Sequence, residues 1–217
     1  MSSPLSAGAA QVSDLRTLAL VGPAAAGKTS LIEAMLVQSG TISAMGSLER
    51  GTMVSDFDPL ERRVQHSLNS AVMHTTHAAT RIHMIDTPGA ADFVGQSLPA
   101  LEAVETAAVV INATTGIEPM AVRMMEYAAS RQLDRMIIVN KIDAPDIDLP
   151  GLLSQIQATF GKECLPVNLP DAGGAKVVDC FYNREGHSDF GSVDAAHRAL
   201  VEQVVEVDAE FVDRYLN

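Results

Sequence analysis

The chain has 217 residues, enough for one domain or for one domain that carries an insertion. Hydrophobic residues make up 47% of it and charged residues 19%, a composition that excludes disorder over most of the length. The formal net charge of −12 argues against general attraction to DNA, RNA or an anionic membrane. Two cysteines cannot form a disulfide framework, and no run approaches the roughly 18 apolar residues of a membrane span. We therefore expect a cytoplasmic protein.

The first thirteen residues carry no charged side chain and no long apolar core, so they lack the features of a signal peptide and are predicted to be a disordered tail. Short aliphatic runs then alternate with helical patterns, which is typical of βαβ units in a mostly parallel sheet. Strands are predicted over 15–21, 71–76, 81–85, 107–113 and 135–140. Helices are predicted over 28–38, 93–104, 119–131 and 149–160.

Two parts of the chain depart from this alternation. The stretch 39–65 has little periodicity, and connections of that length are usually functional or disordered. After Gly161, two short strand-like pieces lie among prolines and glycines, and a helical pattern runs from Val193 to the terminus. The predicted organisation is a tail over 1–13, an α/β domain over 14–160 and a smaller α+β unit over 161–217. The strands at 71–76 and 81–85 are predicted to form an antiparallel hairpin at the edge of the sheet.

A glycine-rich motif, GPAAAGKT, stands between the first predicted strand and the first predicted helix. The spacing is that of a phosphate-binding loop, in which backbone N–H groups at a helix N-terminus hold the phosphates. Lys28 would meet the β- and γ-phosphates, and the Thr29 hydroxyl would bind Mg²⁺. The residues predicted to contact nucleotide here are Gly22, Ala25, Ala26, Gly27, Lys28, Thr29 and Ser30. The alternative is a glycine-rich turn that binds no ligand.

A second motif, DTPG, follows the predicted strand at 81–85. Asp86 would stand at the carboxyl end of that strand, beside the phosphate loop if the sheet is doubly wound. It would hold Mg²⁺ directly or through water, and the Gly89 N–H would contact the γ-phosphate. Taken alone, the motif is equally compatible with an ordinary turn.

A third motif, NKID, ends the predicted strand at 135–140 and selects the base. The Asp143 carboxylate can accept from N1–H and the 2-amino group of guanine, whereas adenine offers neither donor. Asn140 would face the guanine edge or brace the phosphate loop, and the Lys141 stem would cover the ring. A solvent-exposed strand end is the alternative for this motif alone, but three motifs in this order favour a guanine-nucleotide site.

In order and spacing, the three motifs resemble the GTPase boxes of translational GTPases, and more narrowly those of the elongation factor G family. TISAMGSLERGTMVSDFDPLERR resembles the first switch of that family, DTPGAADFVG its second switch, and ALVEQVVEVDAEFVDRYL the helices of its inserted subdomain. The resemblance implies a P-loop NTPase G domain with part of an inserted subdomain. It also implies GTP or GDP with Mg²⁺ as cofactors, Lys28 and Gly89 as catalytic groups, and the ribosome as partner.

Three positions depart from the family pattern. The histidine that positions the attacking water in the second switch is replaced by Ala90, and an aspartate of the phosphate loop is replaced by Ala25. Positioning or acid–base assistance of this kind is typically worth about 10²–10⁴-fold. The threonine of the first switch that binds Mg²⁺ is matched by Ser67, within an imperfectly matching segment. We expect these changes to impair hydrolysis more than binding.

The fifth guanine box, a Ser-Ala pair, is not found after Asp143. In the family it lies beyond the inserted subdomain, so we expect a fragment or a shortened paralog with weaker affinity for guanine nucleotide. Histidine and cysteine spacing predicts no zinc site. His66 could replace the missing water-positioning group, although a solvated loop histidine is the simpler interpretation.

Three hypotheses follow from these residues. The first is a GTP-hydrolysing G domain, the second a binding module that has lost hydrolysis, and the third an interaction fragment that holds no nucleotide. Ala90 favours the second over the first, and the missing fifth box favours the third.

Overall fold

The computed structural model describes residues 11–48, 50–55, 58–64 and 66–207. Most of the tail predicted over 1–13 and the last ten residues of the predicted C-terminal helix lie outside this range. The described chain contains seven strands and six α-helices. In chain order these are β1 Leu15–Val21, α1 Lys28–Gln38, α2 Pro59–Val64, β2 Ala71–His77, β3 Thr80–Asp86, α3 Val94–Leu101, β4 Thr106–Asn112, α4 Pro119–Ser130, β5 Asp134–Asn140, α5 Leu149–Phe160, β6 Asn168–Asp171, β7 Lys176–Asp179 and α6 Val193–Val207.

Five strands form the main sheet, in the order β2-β3-β1-β4-β5. β1, β3, β4 and β5 run parallel, and β2 pairs antiparallel with β3 at one edge. The sheet is therefore the mostly parallel α/β sheet with an antiparallel hairpin that the sequence predicts. β1 lies between β3 and β4, so the carboxyl ends of these strands meet at one edge of the sheet, as doubly wound folds require for a ligand site.

The central strand β4 is buried along nearly its whole length, which shows that both faces of the sheet are covered. On one face, Ile32 and Leu36 of α1 pack with Leu20, Met84 and Val110 of the strands. α4 packs against β4 and β5 and buries Met124 and Met125. α3 packs against β1.

The predicted irregular stretch 39–65 contains a short helix, α2, that periodicity did not indicate. The helix has only six residues, and a segment of that length is too short for a helical repeat of apolar residues to show. α3 is also shorter than predicted, since it begins at Val94 after a 3₁₀ turn and ends at Leu101.

The chain divides into two units. The first consists of the residues up to Asn112 together with Glu118–Asn140, and the second of Ala113–Ile117 and the residues from Lys141 onward. The second unit contains α5, the antiparallel β6–β7 hairpin and α6, and the hairpin and α6 contribute to a small core of Leu169, Cys180, Val193 and Leu200. Within the described ranges, no helix is long and apolar enough to cross a membrane.

Candidate nucleotide site

The phosphate loop joins the end of β1 to the start of α1, as the sequence predicts. Gly27 precedes the helix with a φ of +93°, a left-handed conformation that favours glycine. A Cβ atom at this position would lie 2.3 Å from the Nδ2 atom of Asn140, so a larger residue would also displace that side chain. Ala24 and Ala25 are exposed, whereas Ala26 is buried. The loop therefore presents backbone at the N-terminus of α1, where unpaired N–H groups favour an anion.

Lys28 is buried, with 6% of its surface exposed, and its ammonium group bonds to the loop itself. Nζ donates to the carbonyl oxygens of Gly22 at 3.0 Å and Pro23 at 2.8 Å. Burial lowers the pKa of Lys28 from 10.5 to about 8, against the opposing influence of the Asp86 and Glu118 carboxylates. Lys28 is thus a positive charge held inside the loop with little solvent around it.

Asp86 and Thr29 form the second part of the site. Asp86 ends β3 and is paired in register with Leu20 of β1, which places its carboxylate beside the loop. The Thr29 hydroxyl donates to Asp86 Oδ2 at 2.6 Å. A hydroxyl and a carboxylate in contact are hard oxygen donors of the kind that Mg²⁺ prefers, so these residues fit a magnesium ion. The neighbouring Thr87 hydroxyl donates to the Leu20 carbonyl at 2.7 Å and fixes the chain after β3.

The start of the predicted second switch lies against the phosphate loop. A Cβ atom built on Gly89 would be 2.4 Å from Lys28 Nζ and 2.5 Å from the backbone nitrogen of Ala24. Only glycine fits this close approach. Ala90 follows, half-buried, immediately before the 3₁₀ turn Ala91–Phe93. Its methyl side chain offers no atom that could orient water.

Asn140 brings the third motif to the same loop. It ends β5, and its Nδ2 atom donates to the carbonyl oxygen of Ala26 at 2.8 Å. Bracing of the phosphate loop was one of the two roles predicted for this amide, and it is the contact that the structure shows. Residues at the carboxyl ends of the parallel strands β1, β3 and β5 therefore meet at this loop within the first unit.

The remaining residues of the third motif belong to the second unit. Lys141 is exposed and has a left-handed φ of +60°, and its carbonyl oxygen accepts from the N–H of Ala144 at 3.3 Å in a turn. Asp143 is also exposed. A Cβ atom on Gly174, in the β6–β7 turn, would lie 2.6 Å from the Ile142 carbonyl oxygen. The turn that carries the predicted base-reading carboxylate thus packs closely on the hairpin of its own unit.

Some residues that the sequence predicts for the nucleotide site make none of the contacts described above. Ser30 is exposed on α1, and its role stays a prediction. Ser67 is half-exposed between α2 and β2, beside Leu68 and Asn69, whose N–H groups donate to Glu61 Oε1 at 2.8 and 2.9 Å. Its role as a metal ligand stays a prediction. His66 is exposed, with Nδ1 at 2.9 Å from the Val64 carbonyl oxygen.

Two buried carboxylates, Glu33 and Glu61, were missed by sequence reasoning. Glu33 is 1% exposed and Glu61 is 3% exposed, and both accept from backbone N–H groups of the long connection between α1 and β2. The only signal for Glu33 is its place on α1 among apolar residues. Charged residues on a helix are usually on its solvated face, so sequence patterns offer no reason to bury this one.

A separate cluster in the second unit contains Asp171, His187 and Asp189, each with one ligand atom within 4.8 Å of the others. The hydrogen bond between His187 Nδ1 and Asp171 Oδ1, at 2.7 Å, lowers the pKa of Asp171 and raises that of His187. Asp189 accepts from the Gly173 N–H at 2.8 Å. These bonds tie the loop before α6 to the β6–β7 turn, which accounts for the cluster without an ion.

Comparison with known proteins shows which family the chain belongs to. The profile described as the elongation factor Tu GTP binding domain matches residues 13–212. The chain belongs to this family of translational GTPase G domains. An elongation factor G-like protein of Mycobacterium tuberculosis is 32% identical over 215 residues, which cover 93% of this chain and 30% of that protein. Peptide chain release factor 3 of Symbiobacterium thermophilum is 28% identical over 184 residues, which cover 83% of this chain and 35% of that protein.

A solved structure agrees with the sequence relatives. A crystal structure of a Thermus thermophilus protein superposes with a TM-score of 0.82 at 31% identity, covering 93% of this G domain and 33% of that chain. The G domain therefore spans about a third of the length of the relatives it matches.

Proposed function

We propose that this G domain binds GTP and GDP with Mg²⁺ and serves a ribosome-associated, cytoplasmic factor of the elongation factor G type. The observation that carries the proposal is the hydrogen bond from Asn140 to Ala26, because it joins the first residue of the motif predicted to select guanine to the phosphate loop. The Thr29–Asp86 contact supports a magnesium ion at the same loop. Lys28, Thr29, Ser67 and Asp86 would serve the phosphates and Mg²⁺, and Asn140, Lys141 and Asp143 the base.

Each residue has a defined physical task in this proposal. The N-terminus of α1 and the Lys28 ammonium group neutralise the phosphate charge in a site with little water. Bound Mg²⁺ would offset the charge that develops on the leaving phosphate. Gly89 lies so close to Lys28 that a Cβ atom on it would be 2.4 Å from Nζ, and its N–H would contact the terminal phosphate. The Asp143 carboxylate would reject adenine, since adenine leaves it without donors.

Hydrolysis is proposed to be slow or absent because Ala90 replaces the residue that orients the attacking water. This observation favours a second candidate function, a GTP-dependent binding module whose bound state signals to a partner without turnover. Both candidates share the nucleotide site, and they differ only in the rate of phosphate release.

Calorimetric titration tests the shared site. The unmutated chain is titrated with GDP, GTP and ATP in Mg²⁺, alongside Lys28→Ala, which removes the charge that binds the phosphates. We expect binding of both guanine nucleotides, much weaker binding of ATP, and loss of all three in the folded variant. Equal binding of ATP and GTP, or unchanged affinity in Lys28→Ala, would contradict the proposal.

A further inference from the structure

The connection between α1 and β2 contains a small loop whose two ends share one carboxylate. Glu33 Oε2 accepts from the Gly46 N–H at 2.8 Å, and Glu33 Oε1 accepts from the Val54 N–H. Glu33 is 1% exposed. A buried carboxylate that accepts two backbone donors is a strong, charge-assisted connection, and its removal leaves the Gly46 and Val54 N–H groups without this acceptor.

The loop also has internal order between these two bonds. The Thr52 N–H donates to the Ser47 carbonyl oxygen at 3.1 Å, and the Thr52 hydroxyl accepts from the Ser47 N–H at 2.9 Å. The Met53 side chain is buried, with 6% exposed. The described residues of 46–54 are therefore bonded to one another through Ser47 and Thr52 and to Glu33 of α1 through Gly46 and Val54.

The attachment lies next to the nucleotide site. Glu33 follows Thr29 by four residues on α1, so the two side chains are neighbours on one face of the helix, about 6 Å apart along its axis. Thr29 itself contacts Asp86. Glu33 therefore stands one helical turn from the residue that contacts Asp86, one of the predicted magnesium ligands.

We propose that Glu33 is a positioning residue that fixes the 46–54 loop to α1 and thereby holds the first switch ready for GTP. The proposal rests on the proposed function and deepens it. The first switch is expected to contact the γ-phosphate, which GDP lacks, so loosening its anchor should weaken GTP binding more than GDP binding. Glu33 itself touches neither nucleotide nor metal.

Glu33→Gln tests the proposal because it keeps the shape of the side chain while its amide nitrogen can no longer accept. Glu61→Gln is a matched control for the exchange readout alone, since Glu61 is also a buried carboxylate with two backbone N–H partners, but these are Leu68 and Asn69 instead of Gly46 and Val54. Glu126→Gln, on the exposed face of α4, controls for the loss of charge alone. Thermal melting of each variant establishes that it is folded.

Two readouts are measured on the full chain. Amide hydrogen exchange without nucleotide should be about tenfold faster at Gly46 or Val54, whichever faces the amide nitrogen in Glu33→Gln, and unchanged at both in the two controls. Affinity for a non-hydrolysable GTP analogue should fall about tenfold in Glu33→Gln, with less than about threefold change for GDP. A merely structural role would weaken the two nucleotides equally.

Several outcomes overturn the inference. Unchanged exchange at Gly46 and Val54 in folded Glu33→Gln would refute the anchor, and an equal loss of GTP and GDP affinity would refute the link to the first switch. If Glu33→Gln does not fold, hydrogen exchange at Gly46 and Val54 is measured in the unmutated chain instead. Slow exchange would support the anchor, and exchange at the rate of a solvated loop would refute it. Failure of the unmutated chain to bind any guanine nucleotide would instead overturn the proposed function, while the exchange result would still decide the anchor.

Discussion

Lys28 sets the electrostatics of the candidate site at the scale of single residues. Its ammonium group is buried against the Gly22 and Pro23 carbonyl oxygens, and burial lowers its pKa to about 8. Phosphates require the charged form. Because the pKa of Lys28 is depressed in the unliganded protein, its ammonium group begins to lose a proton little above neutral pH. Above that pH, Lys28 must take up a proton when the nucleotide binds.

Affinity for GDP should therefore depend on pH in one direction. We expect a nearly constant Kd from pH 6.5 to about 7.5, then a rise of up to tenfold per pH unit above about 8. Calorimetry across this range measures it. Lys28→Arg is the control, because its guanidinium stays protonated and should remove the dependence even if binding is weaker. Constant affinity of the unmutated chain up to pH 9.5 would show that Lys28 does not carry the phosphate charge.

At the scale of elements, the site depends on how closely the segment after β3 approaches the phosphate loop. Gly89 lies where any side chain would collide with Lys28 and with the backbone of Ala24. The backbone of Ala24 cannot move aside as easily as the end of a flexible side chain can. The predicted second switch can therefore lie against the phosphate loop only because residue 89 has no Cβ atom.

Gly89→Ala should separate these two elements. We expect a loss of roughly 1–3 kcal/mol in the free energy of unfolding, as for other overpacked contacts, together with weaker nucleotide binding. Gly95→Ala is a matched control, since Gly95 lies on α3 with open space around its Cβ position and alanine favours a helix. Chemical denaturation measures both variants. Equal stability of the two would show that the approach at Gly89 is not tight in solution.

The elements differ in how well the sequence predicts them. β1 and α1 have the predicted bounds, because an apolar run followed by a glycine-rich motif and a long helical repeat provides strong local signals. α2 provides no such local signal, since six residues are too few for a helical repeat of apolar residues to show. The buried roles of Glu33 and Glu61 depend on backbone donors that are distant in sequence, at positions 46, 54, 68 and 69, so local patterns could not indicate them.

At the scale of the whole molecule, two positions determine the proposed balance between binding and hydrolysis. Ala90 stands where a water-positioning histidine is expected, and the exposed Ala25 stands where a carboxylate is expected. The chain covers 30% of the length of its elongation factor G-like relative, so its role on the ribosome is a proposal about a larger assembly.

GTP hydrolysis by this chain should be no faster than the slow intrinsic rate of unassisted GTPases, on the order of 10⁻⁴ s⁻¹. Ribosomes should accelerate it little, because an activator that orients a histidine finds none at Ala90. Single-turnover phosphate release with and without ribosomes measures both rates, and Ala90→His is expected to gain activity only in a full-length factor. Ribosome-stimulated turnover of about 1 s⁻¹ or faster would rule out the non-hydrolysing module and make His66 the first residue to test.

The central claim, that this G domain selects guanine through Asp143, is tested most directly by exchanging the base and the residue together. The Asp143→Asn amide can donate to the 2-oxo group of xanthine, whereas the carboxylate accepts from the 2-amino group of guanine. We expect the unmutated chain to prefer GDP over xanthosine diphosphate and the variant to reverse that order, measured by calorimetric titration of each protein with each nucleotide. An unchanged preference for GDP in a folded Asp143→Asn variant would contradict the assignment.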